Sequence, residues 1–364
     1  LSIFLATIFI DVFDMFSIGI GPSSSHTLGP WRASLDFIQL LARQHALTDI
    51  RRITVELHGS LAKTGKGHGT DMAVQMGLMG LDYETFPPTG IADLQQSIRS
   101  SGTLFFANSH PVPFNPATDI LFRRDYTDPA HANSLRFTAT FANGDRQDQT
   151  YYSIGGGFII RQGESHDPAI PTTAAFPYPI ENAADLMGAC TATGLPIAGV
   201  VRTNELRLRS AEQIDAGLDR IWQVMLESIH AGCHAEGILP GGLQVQRRAA
   251  GYSQRLLGPA AHAAALPDWL AAIRQGDHGM ATVTDWTIAF ALAVNEVNAA
   301  SGRIVTAPTN GAAGVIPAVL LYALCFENLP QPHPHREFLL VAGEIGSIFK
   351  KGATISAAMG GCQA

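Results

Sequence analysis

Lysine is nearly missing from this chain: Lys63, Lys66, Lys350 and Lys351 are all there are. A pyridoxal phosphate enzyme needs a Schiff-base lysine, and none of the four stands in a motif suited to that role, so no such cofactor is expected. Charge is also sparse. Charged residues make up 15% of the sequence, the net charge is −7, and no basic run occurs. These features argue against a nucleic-acid partner. The apolar opening, "LSIFLATIFI", is too short for a bilayer span, which takes ~20 residues. It also lacks the basic region and small-residue cleavage site of a signal peptide. It reads as a buried strand or as sequence upstream of the true start, and no membrane partner is expected. Cysteines number four, at 190, 233, 325 and 362. None forms C-x-x-C or pairs with a histidine at zinc spacing. Without a secretion signal they read as reduced thiols of a cytoplasmic protein. No fixed-period repeat and no low-complexity tract is present.

What is present suits a large core. Hydrophobic residues are 46% of 364, and a chain of this length holds about two domains at ~100–200 residues each. The fold class expected is α+β. An N-terminal α/β domain spans 11–163, a linker 164–178, and an all-α domain 179–364. In the first part, "HTLGPWRASLDFIQLLARQHA" places Leu35, Ile38 and Leu41 on one helical face, with Pro30 in the first turn. "RRITVELHG" alternates, with Ile53, Val55 and Leu57 on one side. "TDMAVQMGLMG" predicts a helix capped by Thr70 or Asp71. Strand-like pieces follow, and "ANGD" at 142–145 has the Asn-Gly pair of a tight hairpin. Past the polar, proline-bearing stretch the texture becomes Ala/Leu-rich helices separated by Gly/Pro loops.

Four stretches carry candidate chemistry. "GIGPSSSHTLGP", 19–30, precedes a helix, whose free N–H groups suit an anion. Ser23, Ser24, Ser25 and Thr27 add hydroxyls, and His26 adds a group that titrates near neutrality. Helix capping explains one or two of these residues but not all five. "LHGSLAKTGKGHGTD", 57–71, lies between strand and helix but fails the P-loop template: the glycine spacing is wrong and Gly67 stands where Ser or Thr would bind Mg²⁺. It leaves a glycine-rich turn bearing Lys66, His68, Thr70 and Asp71, with His68 a candidate base; a plain polar turn is the competing reading. "NEVNAASGRIVTAPTNGAAG", 295–314, offers Thr306, Thr309, Asn310 and Gly311 as an anion nest before the next helix, or merely a helix connection. "AEGILPGGLQVQRRA", with Glu236, Arg247 and Arg248, says little alone.

Together, in this order, these stretches with "YYSIGGGFI" and the terminal "GGCQ" resemble the bacterial iron–sulfur L-serine dehydratases of the single-chain type. The resemblance runs from about Val12 to Ala364. It implies deamination of L-serine to pyruvate and ammonia without pyridoxal phosphate. It implies a [4Fe–4S] cluster with one iron open as a Lewis acid for the leaving hydroxyl, and Cys362 as a cluster ligand. It makes His68 the proton-abstracting base, with His26 and His131 as further active-site histidines. The implied substrate contacts are Ser23, Ser24, Ser25, Thr27, Thr70, Thr309, Asn310 and Gly311, and the implied assembly is a homodimer. Two departures stand out. "SAAM", 356–359, replaces the family's "SGAE". The sequence stops two residues after Cys362, whereas family chains continue with further cluster cysteines. The remaining ligands are therefore expected beyond residue 364. An alternative expectation follows: a truncated, cluster-free and inactive fragment of that enzyme.

Overall fold

The computed structural model describes residues 10–163, 176–307 and 309–352. The chain divides into two compact units, one formed by 19–163 and the other by 10–18 with 176–352. The class is α+β, as expected: a mixed sheet with helices, then a helical region.

The main sheet of the sheet unit has five strands in the order Ile120–Arg123, Ile50–His58, Ser134–Phe141, Arg146–Gly155 and Phe158–Arg161. The first pair is parallel, with Val55 opposite Ile120. The others are antiparallel, with Val55 opposite Phe137 and Phe137 opposite Gln149. Period-two alternation governs the long strand. Ile53, Val55 and Leu57 are buried, while Arg52, Thr54 and Glu56 face the wetter side. The helix Gly29–Gln44 covers the apolar side with Trp31, Phe37, Ile38 and Leu41; Leu35 is only half-buried. Phe37 stacks on Phe137 at 5.0 Å, and Tyr151 meets Phe137 edge-on at 5.6 Å. Residues 142–145 form the expected hairpin turn, where Gly144 takes φ +91°.

One expectation is corrected. The helix Thr70–Leu78 is capped by Gly69 at φ +63°, not by Thr70 or Asp71. A left-handed backbone favours glycine there, and it leaves the Thr70 hydroxyl for another partner.

In the helical unit, Ala211–His234 crosses Met280–Ala299 closely. A Cβ on Gly232 would lie 2.2 Å from the Ala293 carbonyl oxygen, so only glycine fits. Ile229, Trp269, Trp286, Phe290 and Leu321 fill the core beside this crossing. Asn182 with Asp185, and Ser210 with Gln213, form capping boxes at two helix starts. Residues 10–18 cluster with this unit. The Val12 N–H donates to Glu205 Oε1 at 2.9 Å, and Ser17 N and Thr306 N bond reciprocally to Thr306 Oγ1 and Ser17 O. A short strand, Arg303–Val305, interrupts the helices. Among the described residues no single helix is long and apolar enough to cross a membrane.

Candidate active site

The serine stretch in the sheet unit folds as a wide turn, Ser24–Leu28, running straight into the helix that starts at Gly29. Ser23 caps it: its Oγ accepts from His26 N at 3.2 Å. A Cβ on Gly29 would strike Ser153 Oγ at 2.0 Å, which explains the glycine. That Ser153 hydroxyl donates to Ser25 O at 2.7 Å and ties the turn to the sheet.

His26 is 1% exposed, and both ring nitrogens are engaged. Nδ1 lies 2.8 Å from Ser25 Oγ and Nε2 3.0 Å from Ser60 Oγ. Burial pulls its pKa down to about 4, helped by the neighbouring His68 and opposed by the Ser60 backbone. His26 is therefore a neutral, saturated bridge between two hydroxyls at neutral pH.

His68 differs. Its ring sits 4.9 Å from that of His26 and is half-buried. Nδ1 lies 2.9 Å from Thr64 O. A carbonyl only accepts, so Nδ1 must carry the proton. In the neutral ring the Nε2 lone pair is then available, as a proton acceptor requires.

His131 shows the opposite polarity. It is 7% exposed, and its Nδ1 accepts from Asn133 N at 3.0 Å. The proton of the neutral ring therefore sits on Nε2, which is buried and has no partner among the described residues. Burial holds its pKa below the usual value. The backbone links this segment to the Ser60 turn, because Ser60 N donates to Ala132 O at 2.8 Å. An unmatched buried donor costs ~1–3 kcal/mol, so Nε2–H is a group whose natural partner is a ligand acceptor.

The other predicted residues separate by what their hydroxyls do. Thr27 Oγ1 donates to His68 O and Thr70 Oγ1 to His26 O, each at 2.6 Å, and both threonines are fully buried. Ser25 stays half-buried, and the Ser24 hydroxyl makes no hydrogen bond among the described residues. Lys66 pairs with Asp71 at 3.0 Å on the surface.

In the helical unit, Thr309, Asn310 and Gly311 lie in a turn before the helix Val315–Phe326. Thr309 Oγ1 accepts from Ala312 N and Asn310 O from Ala313 N. Asn310 Nδ2 donates to Asn298 Oδ1 at 2.9 Å, and its own Oδ1 is buried without a partner among the described residues, an acceptor for a ligand N–H. Thr306 is engaged with Ser17 and Met15.

Two family models match: the serine dehydratase beta chain over residues 11–164 and the serine dehydratase alpha chain over 192–364. The chain belongs to the serine dehydratase family. It is 43% identical to L-serine dehydratase 2 of Escherichia coli over 355 residues, 97% of this chain and 74% of that protein. It is 41% identical to the L-serine dehydratase of Streptomyces coelicolor over 356 residues, and 37% to that of Helicobacter pylori over 358, with the same coverage.

Among the described residues of this serine dehydratase no cluster site is formed. Among the described residues no group of three or more His, Cys, Asp or Glu is placed to hold a metal. Cys233 and Cys325 are buried free thiols, and Cys190 is half-buried. Burial, seconded by Glu296, raises the Cys233 pKa, and burial pushes Cys325 up to about 11. Such thiols stay protonated, whereas cluster ligation needs thiolates. Cys362, the one predicted ligand, lies outside the described residues.

Sequence reasoning missed Ser60, Thr64 and Ser153. The first two sit in the quoted glycine-rich stretch, but nothing in its spacing shows which hydroxyl or carbonyl meets an imidazole. It also missed Glu296, whose Oε1 accepts from Arg248 N at 2.7 Å and caps the helix Ala249–Leu257 from outside it.

Proposed function

We propose that this protein is an L-serine dehydratase, a lyase that converts L-serine to pyruvate and ammonia by α,β-elimination. Membership of the family and relatives carrying that name support the reading. The observation that carries it into chemistry is the tautomer of His68, held by Thr64 O so that Nε2 is the basic atom. His68 Nε2 takes the α-proton. The electron pair left at Cα forms the Cα–Cβ double bond as hydroxide departs from Cβ. The imidazolium then holds the proton that hydroxide needs to become water. The product, 2-aminoacrylate, tautomerises to an imine, and water hydrolyses it to pyruvate and ammonia.

The Ser24 hydroxyl and His131 Nε2–H are donors suited to the substrate carboxylate, and orienting it aims the α-proton at the base. His26, saturated by Ser25 and Ser60, buttresses this set rather than exchanging protons with substrate. The [4Fe–4S] cluster implied by the resemblance belongs to the same reading, with Cys362 as a ligand, but no step above passes through it.

The test is pyruvate formation from L-serine, assayed anaerobically after iron and sulfide reconstitution, with and without an iron chelator. Turnover lost on chelation and untouched by borohydride supports the reading. Chelator-insensitive, borohydride-blocked turnover replaces it with Schiff-base chemistry, and no pyruvate at all rejects it.

A further inference from the structure

Two threonines link the histidine-bearing turns reciprocally. Thr27, next to His26, donates its hydroxyl proton to the carbonyl of His68 at 2.6 Å. Thr70, two residues past His68, donates its own to the carbonyl of His26 at 2.6 Å. Thr27 Oγ1 additionally accepts from Ser23 N at 3.2 Å. A hydroxyl has one proton, so neither threonine has a donor left for a ligand, and both are 0% exposed. A second layer fixes the rings themselves. Thr64 O orients His68, Thr64 Oγ1 donates to Ser60 O at 2.9 Å, and Ser60 Oγ holds His26 Nε2. Gly65 permits the tight turn between them, since a Cβ there would lie 2.1 Å from Leu61 O and 2.8 Å from Thr70 Oγ1.

We propose that Thr27 and Thr70 are positioning residues: a crossed pair of hydroxyl-to-carbonyl bonds that sets the spacing of the His26 and His68 rings and thereby aims the His68 base. This rests on His68 being the base of the proposed elimination. It replaces substrate contact as the role of the two threonines. Each bond is worth ~1 kcal/mol of stability, yet a base displaced by ~1 Å loses about 10²-fold in rate. The function of the brace is geometric.

The experiment uses the full chain with Thr27→Val, Thr70→Val, the double variant, and the hydroxyl-retaining Thr27→Ser and Thr70→Ser. Two readouts are taken: steady-state kinetics on L-serine, and histidine-labelled NMR reporting ring-to-ring contacts between His26 and His68 and their titration. The expected result is a fall in kcat of about 10–100-fold in each Val variant with KM within about threefold. The double variant should cost less than the product of the singles, because either break opens the same brace. The His26–His68 contact should weaken and the acid limb of the kcat profile should move. The Ser variants should recover most of both signals. A rise in KM at unchanged kcat would restore the substrate-contact role and overturn the brace. So would an unchanged ring contact in the Val variants. If wild-type protein forms no pyruvate, the functional reading fails, and the NMR contact still decides the brace by itself. If a Val variant does not fold, the matching Ser variant decides: a kcat loss of 10-fold or more with the donor retained would sink the proposal.

Discussion

The sheet unit closes its buried polar groups on one another around neutral imidazoles. His26 is bridged by two serines, and two threonines cross-link its turn to that of His68. The helical unit buries carboxyls instead. Asp11, Asp14 and Glu205 gather around Arg209, which lies 2.6 Å from Asp11 and 3.0 Å from Glu205. Burial first, then the charge of Asp11, raises the pKa of both Asp14 and Glu205. Burial lowers the pKa of His26 and His131 in the one unit and raises those of Asp14 and Glu205 in the other, through the same desolvation cost. In the sheet unit this leaves an available basic atom. His68 Nε2 is available because its ring partner is a carbonyl and its surroundings are half open. The carboxyls of the helical unit are bonded to backbone N–H groups and to Arg209, which reads as anchorage of residues 10–18.

The sharpest way to break this contrast is to remove the base. His68→Ala should lower kcat/KM for L-serine by about 10²–10⁴-fold with an unchanged circular dichroism spectrum. Near-normal turnover would move the reactive atom elsewhere.

Next in size is the opposed pH response. The folded pKa of His26, about 4, lies below its ordinary 6.5. Its contribution to the sheet unit is complete above pH 6.5 and is lost as pH falls toward 4, on the order of 3 kcal/mol. For Asp14 and Glu205 the folded pKa lies above the unfolded one. Their contribution is complete below pH ~4 and is lost as pH rises. Hydrogen exchange resolved by peptide should show protection falling on acidification around 23–29 and on alkalinisation around 11–16 and 203–209. Parallel trends in both segments would erase the distinction.

Gly232→Ala probes the packing on which the helical unit relies. The added Cβ meets Ala293 backbone, which cannot rotate away, so a loss of about 1–3 kcal/mol is expected in denaturant unfolding. Activity per folded molecule should change far less than in His68→Ala. The smallest effect is expected from Ser210→Ala, about 1 kcal/mol from the lost capping box, read as a shift of the unfolding midpoint with kcat unchanged.

Local pattern alone carried much of the fold. Ile53, Val55 and Leu57 alternate, and that strand is buried on the side the alternation marks. Asn143-Gly144 turns the hairpin because its backbone needs a positive φ. The cap of the helix at Thr70 was not legible, because a glycine cap works through backbone conformation and leaves no side-chain signature. In the site, the stretches bearing His26, His68 and His131 stood out by composition. Whether a hydroxyl there contacts a ligand or a carbonyl 41 residues away was not legible, since hydrogen-bond direction depends on what the fold brings opposite.

The sequence by itself determined the class of the protein, the elements that bury its core and the short list of residues able to do proton chemistry. Side-chain period and motif order are local properties, and they survive without coordinates. Tertiary structure alone decided the protonation pattern. His26 is saturated because Ser60 comes from 34 residues away, while His68 offers Nε2 as an acceptor and His131 offers Nε2–H as a donor because the turns they sit in bring Thr64 O and Asn133 N, four and two residues along the chain, against Nδ1. A tautomer is set by the group that lies opposite the ring, and three identical imidazoles acquire three different capacities from the carbonyl, hydroxyl or amide that each one faces.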